Sequence, residues 1–497
     1  MNSQEVGLAP PLALVPPPGP GHLLASLPPR TGPDMLEPGR KTPVEGRGAA
    51  VGRSTRDPFL DVIRVAAVVL VVGQHWLMPV LASNGHTVET GNALATPGWW
   101  LLTWLSQVMP VVFFAGGAAN LHSYRASGHP RAWLAGRLRR LVVPVLPLAA
   151  VWVVLPELLL RAGVAPQPVD VAGGISAQLL WFLVVYLVVV AVTPVMARAH
   201  ERFGLGVLVP LAALAVLVDV VRFAGLPEAG FVNAVVIWVA VHQLGICYAD
   251  GRLELGRRAH AAMAVGGFAV VAAMVAFGPY APSMIGMPGA PMSNMSPPAA
   301  VLLPLAVGQL GLLLLARPVL NRLDGPAIRA VGARSTTIYL WHMPALVVVA
   351  GVMVLGMGYR TPEPGSVEWF AVAPMWVTCV GLVLAALVRV FGRFETGAGR
   401  AIPSATGVTA GFLFAATGLL GLTVRGFSPD GPNLFEGPVP WAVLVLTGVA
   451  LCTRTERQSS RTPSSGWAVA NPPAAYVTRP VALPVALEPT AARHGHR

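Results

Sequence analysis

Asp61-Val-Ile-Arg64-Val-Ala-Ala-Val-Val-Leu-Val-Val-Gly-Gln-His75-Trp76 lies in an apolar run over roughly 59–82 that is long enough to cross a bilayer. Yet it carries an aspartate, an arginine and a histidine. Ionisable groups at hydrocarbon depth are costly, and by default they mark a functional site. Arg64 and His75 are eleven positions apart. At about 100° per residue this is about three turns plus 20°, so both side chains share one helix face about 16 Å apart. One helix thus presents a fixed cation near one mouth and an imidazole deep along the same stripe. From a start near Phe59, His75 lies about 24 Å along the axis, in the outer half of a bilayer about 30 Å thick. An imidazole ordinarily titrates near pH 6.5, which suits it to take a proton from a hydroxyl. A plainer reading uses the same residues: Arg64 snorkels or pairs with Asp61 at i, i+3, and His75 is held by an interhelical hydrogen bond.

Composition sets the wider frame. Of 497 residues, 54% are hydrophobic and only 11% charged, and the mean hydropathy is +0.64. Apolar runs of about 18 to 25 residues recur along the chain, each of membrane-crossing length. The expected fold is an all-α polytopic membrane protein, because the short alternating segments of a membrane β-barrel are missing. Twelve spans are expected, near 59–82, 98–121, 140–160, 176–197, 205–224, 230–249, 259–279, 298–317, 334–357, 368–391, 404–423 and 437–453. The net charge of +12 does not point to nucleic acid, because the basic residues lie in short loops between spans. Cys247, Cys379 and Cys452 have neither metal-ligand spacing nor a disulfide framework and read as small core thiols.

The loops orient the spans. Basic clusters fall in the leader, at Arg125 to Arg140, Arg198 to Arg202, Arg252 to Arg258, Arg317 to Arg334, Arg389 to Arg400, and after Arg454. The loops 83–97 and 278–297 contain no lysine or arginine. Basic loops alternate with neutral ones, so the positive-inside rule puts both termini in the cytoplasm. Residues 1–56, rich in proline and glycine, have no unbroken apolar core for a secretory signal and read as a disordered cytoplasmic leader. The Ser-, Pro- and Arg-rich tail 454–497 reads likewise.

Further motifs follow in order. The second span closes with Met109-Pro-Val-Val-Phe-Phe-Ala-Gly-Gly117-Ala-Ala-Asn120. The next loop ends Arg137-Leu-Arg139-Arg140-Leu141-Val-Val-Pro144, with Arg137 and Arg140 on one helical face at the membrane surface. The fourth span opens Gln178-Leu-Leu-Trp181-Phe182-Leu183-Val-Val-Tyr186, and the ninth reads Ser335-Thr-Thr-Ile-Tyr339-Leu-Trp341-His342-Met-Pro344. Read alone, the arginines suit phosphate or anionic lipid, and Trp181 suits an aromatic belt or an acceptor site. Glu157, Asp219, Arg222, His242 and Gln309 read as partnered core or interface groups, with Asp219 and Arg222 placed to pair at i, i+3.

Together these blocks resemble acyltransferase family 3, the membrane acyltransferases with an R-x(10)-H signature in the first span. Arg64 and His75 match that signature, Arg137 to Pro144 the R-x-x-R-L-x-x-P block, and Ser335 to Pro344 the late S-x-x-I-Y-L-x-H-x-P block. Ala115-Gly116-Gly117 departs from the family's Ser-Gly-Phe, and Gln178 stands where a histidine is usual. The resemblance covers about 57–392 as a ten-span core, leaving 393–453 as two additional spans. It implies transfer of an acyl group, commonly acetyl, from cytoplasmic acyl-CoA to a hydroxyl of a carbohydrate, cell-envelope glycan, glycolipid or macrolide-like product, in the plasma membrane and without a metal. Arg64 and His75 are then the expected catalytic pair, with His75 either a general base on the acceptor hydroxyl or a transient acceptor of the acyl group. Arg137, Arg140 and His342 are expected at the CoA donor, and Trp181, Tyr186 and Tyr339 at the substrate. A twelve-span secondary transporter is the alternative, although the linker between spans six and seven is only about ten residues and no half-to-half repeat is visible. A non-catalytic scaffold would not need the ordered blocks.

Overall fold

The computed structural model describes residues 56–286, 292–395, 402–428 and 437–454; the expected leader and tail lie outside them, apart from Arg56 and Arg454. In chain order the helices are α1 (Pro58–Leu77), α2 (Thr103–Ser106), α3 (Met109–Arg125), α4 (Pro130–Val142), α5 (Val145–Arg161), α6 (Pro166–Gln178), α7 (Leu180–Phe203) and α8 (Leu208–Phe223). They continue with α9 (Asn233–Ala249), α10 (Arg257–Phe277), α11 (Leu302–Leu320), α12 (Pro326–Gly332), α13 (Ser335–Ala350), α14 (Val367–Phe391), α15 (Ala405–Arg425) and α16 (Val439–Leu451). Among the described residues, ten helical stretches are long and apolar enough to cross a membrane. The protein is a multi-pass helical membrane protein. The expected fourth and fifth spans fall in one stretch, Pro166–Phe223, and the expected twelfth falls on α16, an apolar helix of 13 residues.

The all-α expectation needs one correction. Between α1 and α2, β1 (Pro79–Ser83) and β2 (Val88–Asn92) form an antiparallel hairpin, paired from Pro79 with Asn92 to Ser83 with Val88. Its turn is built locally: Asn84 Oδ1 accepts from the N–H groups of His86 and Thr87, and Gly85 supplies a φ of 92°. The second expected span also breaks. Gln107 leaves the helix in an extended conformation before α3 begins.

Packing follows from small residues and from polar groups that must find partners inside. The α3–α9 crossing is the tightest: a Cβ on Gly117 would overlap the His242 carbonyl oxygen, and one on Gly245 would overlap that of Phe114. These glycines are there for close approach. The α15–α16 pair closes in the same way, Gly411 against Gly448 and Gly418 against Val445. It is not a loose appendage, because Leu419, Leu422, Phe427, Val449 and Cys452 share one buried cluster with Leu180, Leu183 and Leu187 of α7.

Asp219 and Arg222 do not form the expected pair. Asp219 accepts from Asn233 Nδ2, Tyr280 Oη and the Ala300 N–H, whereas Arg222 donates to the carbonyls of Pro297 and Ser293. Three donors already satisfy the carboxylate, and the guanidinium ties down the loop ahead of α11.

Gly245→Val tests the α3–α9 crossing. Overpacking a tight contact costs about 1–3 kcal/mol. The thermal midpoint of the purified protein in detergent should fall by several degrees; an unchanged midpoint would contradict the close approach.

Candidate active site

α1 is well specified at its start. Asp57 caps it by accepting from the Phe59 N–H at 3.0 Å, with Pro58 at the first helical position. The Asp57 carboxylate also accepts from Tyr248 Oη at 2.7 Å, which ties α1 to α9. Arg64, one to two turns further along, lies 3.6 Å from Asp61, its side chain about one third exposed. This ion pair is the plain partner that the spacing allows, and among the described residues it leaves most of the guanidinium donors uncommitted.

His75 meets α13. Its Nδ1 lies 2.8 Å from Nε2 of His342, with the rings parallel within 5°. Nδ1 of His342 lies 2.6 Å from the Tyr339 carbonyl oxygen. A carbonyl can only accept, so His342 Nδ1 carries the hydrogen, and in the neutral ring Nε2 holds the lone pair. His75 Nδ1 must then donate to it, and the lone pair of His75 resides on Nε2. His75 Nε2 has no hydrogen-bond partner among the described residues. The chain carbonyl, imidazole, imidazole therefore ends in a free basic nitrogen.

Neighbouring groups hold this pair. Trp76 Nε1 donates to the His342 carbonyl at 3.0 Å, and Trp376 Nε1 donates to the Trp76 carbonyl at 2.9 Å. Tyr339 Oη donates to the Leu179 carbonyl, fixing α13 against the start of α7. An aromatic ladder runs from His342 through Tyr339 and Phe182 to Tyr186, with centroid separations of 5.8, 5.3 and 5.4 Å. A Cβ on Gly116 would stand 2.7 Å from Tyr186 Oη, so that glycine makes room for the phenol. Trp181 reaches the ladder through an edge-to-face contact with Phe182.

Arg137 sits on α4. It donates through Nη2 to the Ala119 carbonyl and to Ser123 Oγ of α3, and lies over the Trp133 ring. It is within electrostatic reach of Tyr186, Arg140 and Arg64. The charges of Arg140, on the same helix, and of Arg64, on α1, thus both act on Arg137. Arg140 is exposed and has no partner among the described residues. Such a cluster of cations suits a polyanion. His342, expected at the donor, meets His75.

Sequence reasoning missed a small open cleft at the hairpin end of α1, lined by Trp76, Tyr359, Thr361, Trp369 and Trp376 among others. Its residues come from segments about 300 positions apart, so no local pattern announces it. Trp76 is its link to the histidine pair. A second polar group, Asn120 Nδ2 with His242 Nε2 at 3.1 Å, is fully buried near α4.

The helical bundle thus sets a half-buried imidazole with a free nitrogen along an aromatic ladder from the arginines. The chain belongs to acyltransferase family 3: a family model described as an acyltransferase domain matches residues 57–393, more than half of the 497. No curated protein and no solved structure matches it.

The tautomer chain is measurable. In ¹⁵N spectra of histidine-labelled protein, His75 and His342 should each be protonated at Nδ1 and bare at Nε2. An Nε2-protonated His75 would contradict the assignment.

Proposed function

We propose that this protein transfers an acyl group, acetyl in the first instance, from cytoplasmic acyl-CoA to a hydroxyl of an acceptor at the other face of the membrane. The acceptor classes are carbohydrate, cell-envelope glycan or glycolipid, and macrolide-like product. In this reading the chain crosses the plasma membrane twelve times with both termini in the cytoplasm, supported by the alternation of basic and neutral loops. Residues 57–392 form the catalytic core, and α15 and α16 brace it through the cluster they share with α7.

The observation that carries the reading is the free Nε2 of His75, set by the Tyr339 carbonyl through His342. Arg64, Arg137 and Arg140 hold the phosphates of CoA, and the pantetheine arm, about 20 Å when extended, runs along Tyr186 and Tyr339 towards the imidazole. His75 Nε2 takes the proton from the acceptor hydroxyl as its oxygen attacks the thioester carbonyl carbon. The carbon–sulfur bond breaks, and the imidazolium returns its proton to the departing thiolate. His342 stabilises the transient imidazolium by accepting from Nδ1, a role like that of the orienting group in other base dyads. Trp181 and the aromatic cleft beside Trp76 receive the acceptor.

Purified protein given radiolabelled acetyl-CoA and a cell-envelope extract tests the reading. Label should pass to an acceptor. His75→Ala should reduce transfer at least 100-fold with folding retained, the size expected for loss of a general base. Normal activity in that variant would sink the mechanism, and substrate flux without acyl transfer would replace the enzyme with a transporter. Arg64→Ala should raise KM for the donor roughly tenfold, the loss of one charge-assisted contact of about 1.5 kcal/mol. Trp376→Ala should instead raise KM for the acceptor, leaving that for the donor unchanged.

A further inference from the structure

α13 carries His342, yet nothing in its own first turn caps it: Arg334 stands at the N-cap position without a side-chain hydrogen bond to the helix. The cap comes from Glu395, about sixty residues on. Its Oε1 accepts from the Thr336 N–H at 3.1 Å, and its Oε2 accepts from the Thr337 N–H at 3.2 Å and Thr337 Oγ1 at 2.8 Å. A carboxylate here satisfies two of the orphan donors at the helix start and meets the positive end of the dipole. The same short strip grips α13 twice more. Arg334 donates to the Gly392 carbonyl at 2.8 Å, and Phe391 stacks flat on Trp341 with centroids 3.9 Å apart. Trp341 directly precedes His342.

Three ties at different heights fix both the rotation and the axial position of α13. The tolerance they guard is small. A side-chain atom about 6 Å from a helix axis moves about 2 Å when the helix turns by 20°. That displacement would break the 2.8 Å bond from His75 to His342. With that bond gone, nothing dictates which nitrogen of His75 is bare. Glu395 lies two residues beyond the stretch matched by the family model.

We propose that Glu395 is a positioning residue for acyl transfer, holding His342 on His75 through the first turn of α13. This rests on the role given to His75 above. In purified full-length protein, Glu395→Gln should lower kcat about tenfold with the donor KM unchanged. In the His342→Gln background the same change should lower kcat no further, because the group it positions has already gone. An equal loss in both backgrounds, or no loss in either, overturns the proposal. Thr337→Val deletes one of the three hydrogen bonds with little change in shape, and should show a smaller loss with the same dependence on His342; it serves if Glu395→Gln does not fold. A readout without turnover separates this proposal from the reading it rests on. The ¹⁵N signature of the His75–His342 hydrogen bond should be present in the wild type and lost in Glu395→Gln. If the wild type transfers no acyl group, the functional reading fails, and the spectrum still decides the clasp: a bond retained in Glu395→Gln overturns it.

Discussion

A backbone oxygen decides which nitrogen of His75 is available. The Tyr339 carbonyl can only accept, so it sets the hydrogen of His342, and through a 2.8 Å contact it sets that of His75. In water such a preference would count for little, because both tautomers find partners. Between packed helices, an unmade hydrogen bond costs the desolvation of the group, and the choice becomes stringent. Much of the bundle serves this contact. The Asp57 cap fixes the start of α1, Trp76 and Trp376 fix its far end, and Tyr339 pins α13 to α7.

The same pressure acts on two other buried polar groups. Asp219 accepts from three donors on three different segments, and the Gln309 amide nitrogen donates to the carbonyls of Trp104 and Gln107. These contacts organise the irregular backbone ahead of α3 and α11. Glycine works differently. At Gly117 and Gly245 the missing side chains let α3 and α9 touch backbone to backbone. Gly117 stands within the block that departs from the family pattern, and close packing gives that departure a physical reason.

The helical character and the Arg64–His75 stripe were legible because both are properties of a single helix. A run of valines and leucines reports a span, and a separation of eleven reports a shared face. Arg137 and Arg140 were legible for the same reason. The hairpin at 79–92 was not, because its strands are only five residues each and read as an ordinary loop. The break at Gln107 was hidden because no charged residue interrupts 98–121. The Asp219–Arg222 pairing failed because helical spacing shows which groups can meet, not which competing donors arrive from elsewhere.

By itself the sequence determined a multi-pass helical membrane protein and the motifs of its family, since span length and helical periodicity act over a few turns. Only the tertiary structure decided that His342 meets His75, and that Trp76 shares a cleft with Trp376. It also decided that a carboxylate at 395 caps the helix carrying His342. The reason is physical. These contacts join segments from sixty to three hundred residues apart, and their partners are chosen by which buried groups remain unsatisfied once the helices have packed.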